Sequence, residues 1–166
     1  MMLVVGIDPG LSRCGYGVVR QKGRVTEAVA AGVIRTDKDD PVPQRLHELH
    51  TEMVELLNDY QPDAVAIEQV LFQVNVRTAM GVGQASGVAM AAGAGAGAEV
   101  FEYSPTQIKK AITGWGGADK EQMSQMVQTL LRLPEPLKPV DAADAVAVAL
   151  CHLAHAPAAS RIQAAV

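Results

Sequence analysis

The sequence predicts a mixed α/β fold, a sheet that combines a three-strand antiparallel meander with parallel strands and is flanked by helices. Three observations carry this expectation. Three apolar, β-branched runs follow one another between residues 3 and 36 with only short turns between them. Beyond residue 43 the spacing of apolar residues becomes helical, and helices then alternate with short apolar runs. The chain has 166 residues, 49% of them apolar, which suffices for one core and makes one domain the expectation, over 1–156, with 157–166 as a flexible C-terminal tail.

Taken in order, Leu3 to Asp8 reads as a buried strand ended by the turn residues Asp8-Pro9-Gly10. Gly15 to Arg20 and Val25 to Thr36 alternate, and the turn at Lys22-Gly23 joins them into the meander. From Pro43 to Tyr60, Leu46, Leu49, Met53, Leu56 and Leu57 recur at helical spacing, with Arg45, Glu48, Glu52 and Glu55 on the opposite face. Pro62-Asp63 breaks that helix. Ala64 to Glu68 is then a short apolar run ending in an acid, as expected of a strand that delivers a side chain to a sheet edge. Ala79 to Ala98 carries no charge over a length that could span a bilayer. Ala and Gly supply little transfer energy, and Gln84 and Ser86 interrupt the run, so a closely packed internal or interface helix is expected instead. Glu99 to Glu102 forms a brief strand, Ser104-Pro105 caps a helix over Thr106 to Thr113, and Gly114-Trp115-Gly116-Gly117 is a loop. A helix from the N-cap Asp119 runs to Leu133, and the last begins near Asp141 and runs towards His155.

Two cysteines, Cys14 and Cys151, are too few for a disulfide framework, and the apolar stretch Met1 to Ile7 is too short for a secretory signal, so a reducing cytoplasm is the expected location. The formal net charge of −4 argues against a global positive field that coats nucleic acid. Any contact with nucleic acid must come from local basic patches, and part of the deficit disappears if several carboxylates bind cations.

The chemistry lies in the acids. Asp8 and Glu68 end two strands, and Asp141 and Asp144 stand at positions i and i+3 on one helical face. Taken singly, Asp8 could be a turn residue and Asp141 an N-cap. Glu68 and Asp144 are harder to dismiss, because each sits in a run of small apolar residues where an uncompensated carboxylate is costly. Converging without a cation, the four would repel and raise one another's pKa values. Oxygen-only ligation favours Mg²⁺ or Mn²⁺ over Zn²⁺, and two such ions support hydrolysis of a phosphodiester.

Gly6-Ile7-Asp8-Pro9-Gly10, Gly15-Tyr16-Gly17, Ala66-Ile67-Glu68-Gln69-Val70 and Asp141-Ala142-Ala143-Asp144-Ala145 closely resemble the RuvC family of Holliday junction resolvases. Gly83-Gln84-Ala85, Gly87-Val88-Ala89, Val100-Phe101-Glu102-Tyr103 and Met126 to Pro134 extend the match, in order, over nearly the whole chain. The resemblance implies a ribonuclease H-like sheet and a homodimer that nicks opposing strands of a four-way junction symmetrically in DNA recombination and repair. It further implies two Mg²⁺ per site, with Mn²⁺ able to substitute, held by Asp8, Glu68, Asp141 and Asp144. RuvA and RuvB, the branch-migration complex, are the implied protein partners. Lys109 and Lys120 match the family's DNA-contacting lysines, and Lys110 and Arg77 could extend that patch. Where the family offers an aromatic residue that disrupts stacking at the junction centre, this chain has Leu71, followed by Phe72, and either apolar side chain could serve as a wedge. The Ala/Gly-rich helix could form part of the dimer surface.

Competing readings are weaker. A sugar kinase or actin-like ATPase could share the Asp8-Pro9-Gly10 loop but needs a second nucleotide-gripping lobe. A non-catalytic junction-binding protein needs basic surface but no acid cluster. His47 with His50, and His152 with His155 and Cys151, lack the flanking pattern of a zinc site. Ser12 lacks a His base, and Cys14 lacks support as a nucleophile.

Overall fold

A computed structural model describes residues 1–69, 71 and 75–163, with 157–163 taken as backbone alone. The chain runs β1 (Met2–Asp8), β2 (Arg13–Lys22), β3 (Val25–Arg35), α1 (Val42–Tyr60), β4 (Ala64–Glu68), α2 (Val76–Gly95), β5 (Glu99–Tyr103), α3 (Pro105–Thr113), α4 (Lys120–Leu130) and α5 (Val140–Gln163). These strands form one sheet in the order β3-β2-β1-β4-β5. β1, β2 and β3 pair antiparallel as the expected meander, and β4 and β5 continue the sheet parallel to β1.

Side-chain alternation splits the sheet into unlike faces. Val5, Ile7, Val65 and Ile67 pack against Leu49, Met53 and Leu57 of α1 and against Ala85, Ala89 and Ala92 of α2. Fully burying each of those large α1 side chains contributes about 1.5–3 kcal/mol. The opposite face carries Val4, Ala64 and Ala66 against α3, α4 and the Ala-rich α5. This face is shallow because three glycines lie under α5. A Cβ at Gly6 would fall on the Ala145 carbonyl oxygen, one at Gly15 on the Asp141 carbonyl oxygen, and one at Gly17 into Val146. The backbone of α5 therefore rests directly on β1 and β2, and this contact places its first turn at the sheet edge.

The Ala/Gly-rich α2 buries Ala79, Ala85, Ser86, Ala89, Ala92 and Gly93 against the sheet and α1, which is the internal packing expected of it. Among the described residues no helix is long and apolar enough to cross a membrane.

Two local expectations are corrected. Arg45 does not share the solvent face of α1: it is 8% exposed, and its guanidinium donates to Thr36 Oγ1 (3.0 Å) and Ser12 Oγ (2.6 Å). α4 stops at Leu130 rather than Leu133, because Arg132 turns left-handed (φ 52°) and Leu133 N donates back to Gln128 O (2.9 Å), a hydrogen-bond pattern that closes a helix. The backbone of α5 is helical to Gln163, past the His155 towards which it is expected to run.

Candidate active site

β1 and β4 run parallel with Ile7 opposite Ile67, so the next residue on each, Asp8 and Glu68, leaves the sheet at the same edge. Their carboxyls lie close enough to perturb each other's ionisation. Asp141 lies in the first turn of α5, and Asp144 follows one turn on. All four acids line one open cavity of about 430 Å³, together with Lys109 and Lys120. Pro105, Ile108 and Met123 supply its apolar wall.

Burial is the first cause of the site's unusual electrostatics. It pushes the Asp8 carboxyl up to about 8, with the neighbouring Glu68, Asp144 and Asp141 adding to the rise. Glu68 is likewise raised by burial and by Asp144, against the pull of Asp8 and of the Lys120 and Lys109 charges. The expected mutual repulsion is present at both groups, but desolvation is the larger cause. For Lys120, burial pushes the ammonium down, but its bond to Asp144 and the charges of Asp144, Asp8 and Glu68 outweigh this and raise it overall.

The outer pair of acids is held by cations. Arg13 Nε donates to Asp141 Oδ2 at 2.7 Å, and Lys120 Nζ to Asp144 Oδ2 at 3.1 Å. Drawn onto these partners, the acids line one cavity without converging: among the described residues no three acid, His or Cys side chains stand as a ready-made ligand group for a metal ion. The donor set nonetheless fits a hard dication. It is all oxygen, and two of its members are half-buried carboxyls held against ionisation, a condition that a bound cation relieves.

This arrangement makes stability depend on pH. Because the Asp8 pKa lies near 8 in the folded chain and near 4 when unfolded, the folded protein retains a proton that the unfolded chain gives up. Stability from this group is full below about pH 4 and is lost as pH rises towards about 8. In chelator, the melting temperature is expected to fall from pH 5 to pH 8 and Asp8→Asn to flatten that slope, as read by calorimetry. Parallel pH profiles for the two proteins would contradict the assignment.

The other sequence-predicted residues divide. Leu71 is 46% exposed and lines an adjoining cavity of about 270 Å³ that shares Asp8, Glu68 and Pro105 with the first. Lys110 and Arg77 are exposed and line neither cavity. Phe72 lies outside the described residues. His152 donates to or accepts from Tyr103 Oη (2.8 Å) inside the core, and His155 Nδ1 bonds Cys151 O (2.8 Å). The buried Cys14 thiol is pushed up to about 12, which makes it a poor nucleophile.

Two residues of the site escape sequence reading. Arg13 begins β2, and since β2 runs antiparallel to β1, its start lies beside the end of β1. That pairing was the available signal. Arg45 supports the site from behind: it holds Ser12 and Thr36, while Thr36 Oγ1 donates to Leu11 O (2.6 Å), so the loop leaving Asp8 is fixed at two points.

Known proteins resemble this chain in both sequence and fold. The family model for crossover junction endodeoxyribonuclease RuvC matches residues 4–152. The chain belongs to the RuvC family. RuvC of Salinispora arenicola is 53% identical over 99% of this chain and 94% of its own length. RuvC of Natranaerobius thermophilus is 45% identical over 91% of this chain and 94% of its own. Thermus thermophilus RuvC in complex with Holliday junction substrate superposes with a TM-score of 0.90 at 37% identity, covering 96% of this chain and 97% of that one. The sheet and its flanking helices are therefore the ribonuclease H-like fold of RuvC. The yeast mitochondrial Holliday junction resolvase Ydc2 shares the fold alone, at 14% identity and a TM-score of 0.68 over 91% of this chain and 77% of that one.

Proposed function

We propose that this RuvC family chain resolves four-way DNA junctions by metal-dependent hydrolysis of a phosphodiester in each of two opposed strands, with Asp8, Glu68, Asp141 and Asp144 as the ligands and catalytic groups. One observation carries the reading: two half-buried acids at adjacent parallel strand ends share a cavity with two more from α5 and with Lys109 and Lys120. Two Mg²⁺ ions held by these acids would supply an activated water and charge stabilisation for the leaving oxygen, and Mn²⁺ suits the same donors.

The chain's own groups do the rest. Asp8 gives up its proton, so that it and Glu68 both become available as anionic ligands. Asp141 and Asp144 exchange Arg13 and Lys120 for the cavity. Lys120 is then free to meet a phosphate beside Lys109. Leu71, at the rim of the adjoining cavity, is placed to press against a base step, and Phe72 remains a candidate for the same role. Lys110 and Arg77 extend the phosphate contacts outward.

A homodimer suits two symmetric cuts, and the exposed glycines Gly83 and Gly87 of α2 leave open space for a second copy to approach closely. RuvA and RuvB are the proposed branch-migration partners. The nuclease unit spans 1–156.

Cleavage of a junction by the metal-free protein tests this reading. Mg²⁺ should restore cutting and a chelator abolish it with binding retained, whereas cutting at full rate in chelator refutes the metal role. Lys109→Ala should weaken junction binding and reduce the slope of log affinity against log salt by about 0.9, the share of one phosphate contact. An unchanged slope would remove Lys109 from the interface.

A further inference from the structure

We propose that Trp115 is a stacking platform for an unpaired nucleobase of the junction, next to the cavity where its backbone is cut. This rests on the resolvase reading above and adds a contact that reading does not use. Trp115 is 60% exposed, in a loop otherwise made of glycines. A lone exposed aromatic needs no explanation by itself, but this one is built in.

α3 ends at Gly114 in the left-handed conformation (φ 79°), and Thr113 Oγ1 then accepts from Trp115 N (3.1 Å), its single proton lying between Lys109 O (2.8 Å) and Trp115 O (3.0 Å). Ala118 N closes the loop on Trp115 O (3.3 Å). The indole lies across Gly117, where a Cβ would stand only 2.8 Å from Cζ2, so any larger residue at 117 would displace the ring. One edge of the indole is seated and the rest is open to solvent. A backbone fixed in this way holds the base of the side chain in place, so less freedom is lost on stacking than in an unpinned loop.

Its surroundings identify the ligand chemistry. The loop connects α3, which brings Lys109 to the cavity, to the start of α4, which brings Lys120, and Ala118 and Asp119 of the same segment line that cavity. Lys110 is exposed on α3 a few residues before the loop. Basic groups on both sides of a rigid exposed aromatic match a strand whose phosphates meet the lysines while a base meets the ring. Bases are accessible for stacking where pairing is broken, as at the centre of a four-way junction, and not within intact duplex.

Trp115 is the chain's only tryptophan, so intrinsic tryptophan emission reports on this position alone. Labelled four-way junction is titrated with the whole protein in chelator, following junction anisotropy and tryptophan emission together. The expected result is quenching that saturates along the anisotropy curve, with much weaker quenching at saturating linear duplex. Trp115→Ala should bind the junction about ten-fold more weakly and Trp115→Phe should recover most of the loss, because a ring of either kind stacks. Unchanged emission on a bound junction, equal quenching by duplex, or full affinity in Trp115→Ala each overturns the stacking role and leaves the resolvase reading intact. Absence of any junction binding defeats both.

Discussion

Asp8→Asn should reduce junction cleavage by about 10³-fold or more while junction affinity stays close to that of the wild type. The substitution keeps the shape of the side chain and removes its charge, so the loop pinned by Arg45 and the sheet edge are undisturbed. What is lost is an anionic oxygen at the centre of the four acids. Outer-shell partners of metal sites are typically worth about 10–100-fold, and a direct ligand should exceed that. Single-turnover cleavage and anisotropy on the same junction separate the two quantities. The same variant should be more stable than the wild type in chelator near pH 8, because the wild type then has to ionise a half-buried carboxyl beside other acids. A gain of even about 1 kcal/mol would raise the melting temperature by roughly 2–4 °C for a chain of this size. Activity and stability moving in opposite directions mark Asp8 as a residue kept for chemistry rather than for folding.

Gly15→Ala should be nearly as damaging to cleavage although it touches no acid side chain. A methyl there would occupy the position of the Asp141 carbonyl oxygen, so the first turn of α5 has to lift off β2. Overpacking of this kind costs about 1–3 kcal/mol of stability. The larger effect is on geometry, since Asp141 and Asp144 ride on that turn, and a displacement of about 1 Å at a reacting centre can cost about 10²-fold in rate. Denaturant unfolding and single-turnover cleavage measure the two effects. Wild-type cleavage in a folded Gly15→Ala protein would show that the close approach of α5 does not set the site.

These two sites differ in how far the sequence discloses them. Glu68 is legible because it ends a short apolar run, whereas Asp8, ahead of Pro9-Gly10, reads equally as a turn residue until the other acids are set beside it. Asp141 and Asp144 are legible as a pair on one helical face. Their arrival beside Asp8 is not, since it depends on the glycines under α5, whose roles emerge only when β1, β2 and α5 are stacked. Arg45 misleads because its residue type reads as solvent-facing, whereas hydrogen bonds to Ser12 and Thr36 let the guanidinium stay inside. Arg13 belongs to the site through strand register. The early end of α4 is a backbone event at Arg132, hidden beneath an apolar spacing that continues to Leu133. Residue type and spacing single out the candidate acids; the cations paired with Asp141 and Asp144 become visible only in three dimensions.

The central claim is that the four acids make a metal-dependent nuclease selective for branched DNA. Its most direct test is cleavage of an end-labelled synthetic four-way junction beside a linear duplex of the same sequence, each with Mg²⁺ and with chelator. Paired nicks at symmetric positions in opposed strands of the junction, only with Mg²⁺ and with the duplex left whole, are the expected result; a junction bound but uncut with Mg²⁺ and Mn²⁺ across varied sequences, or a duplex cut equally well, would contradict it.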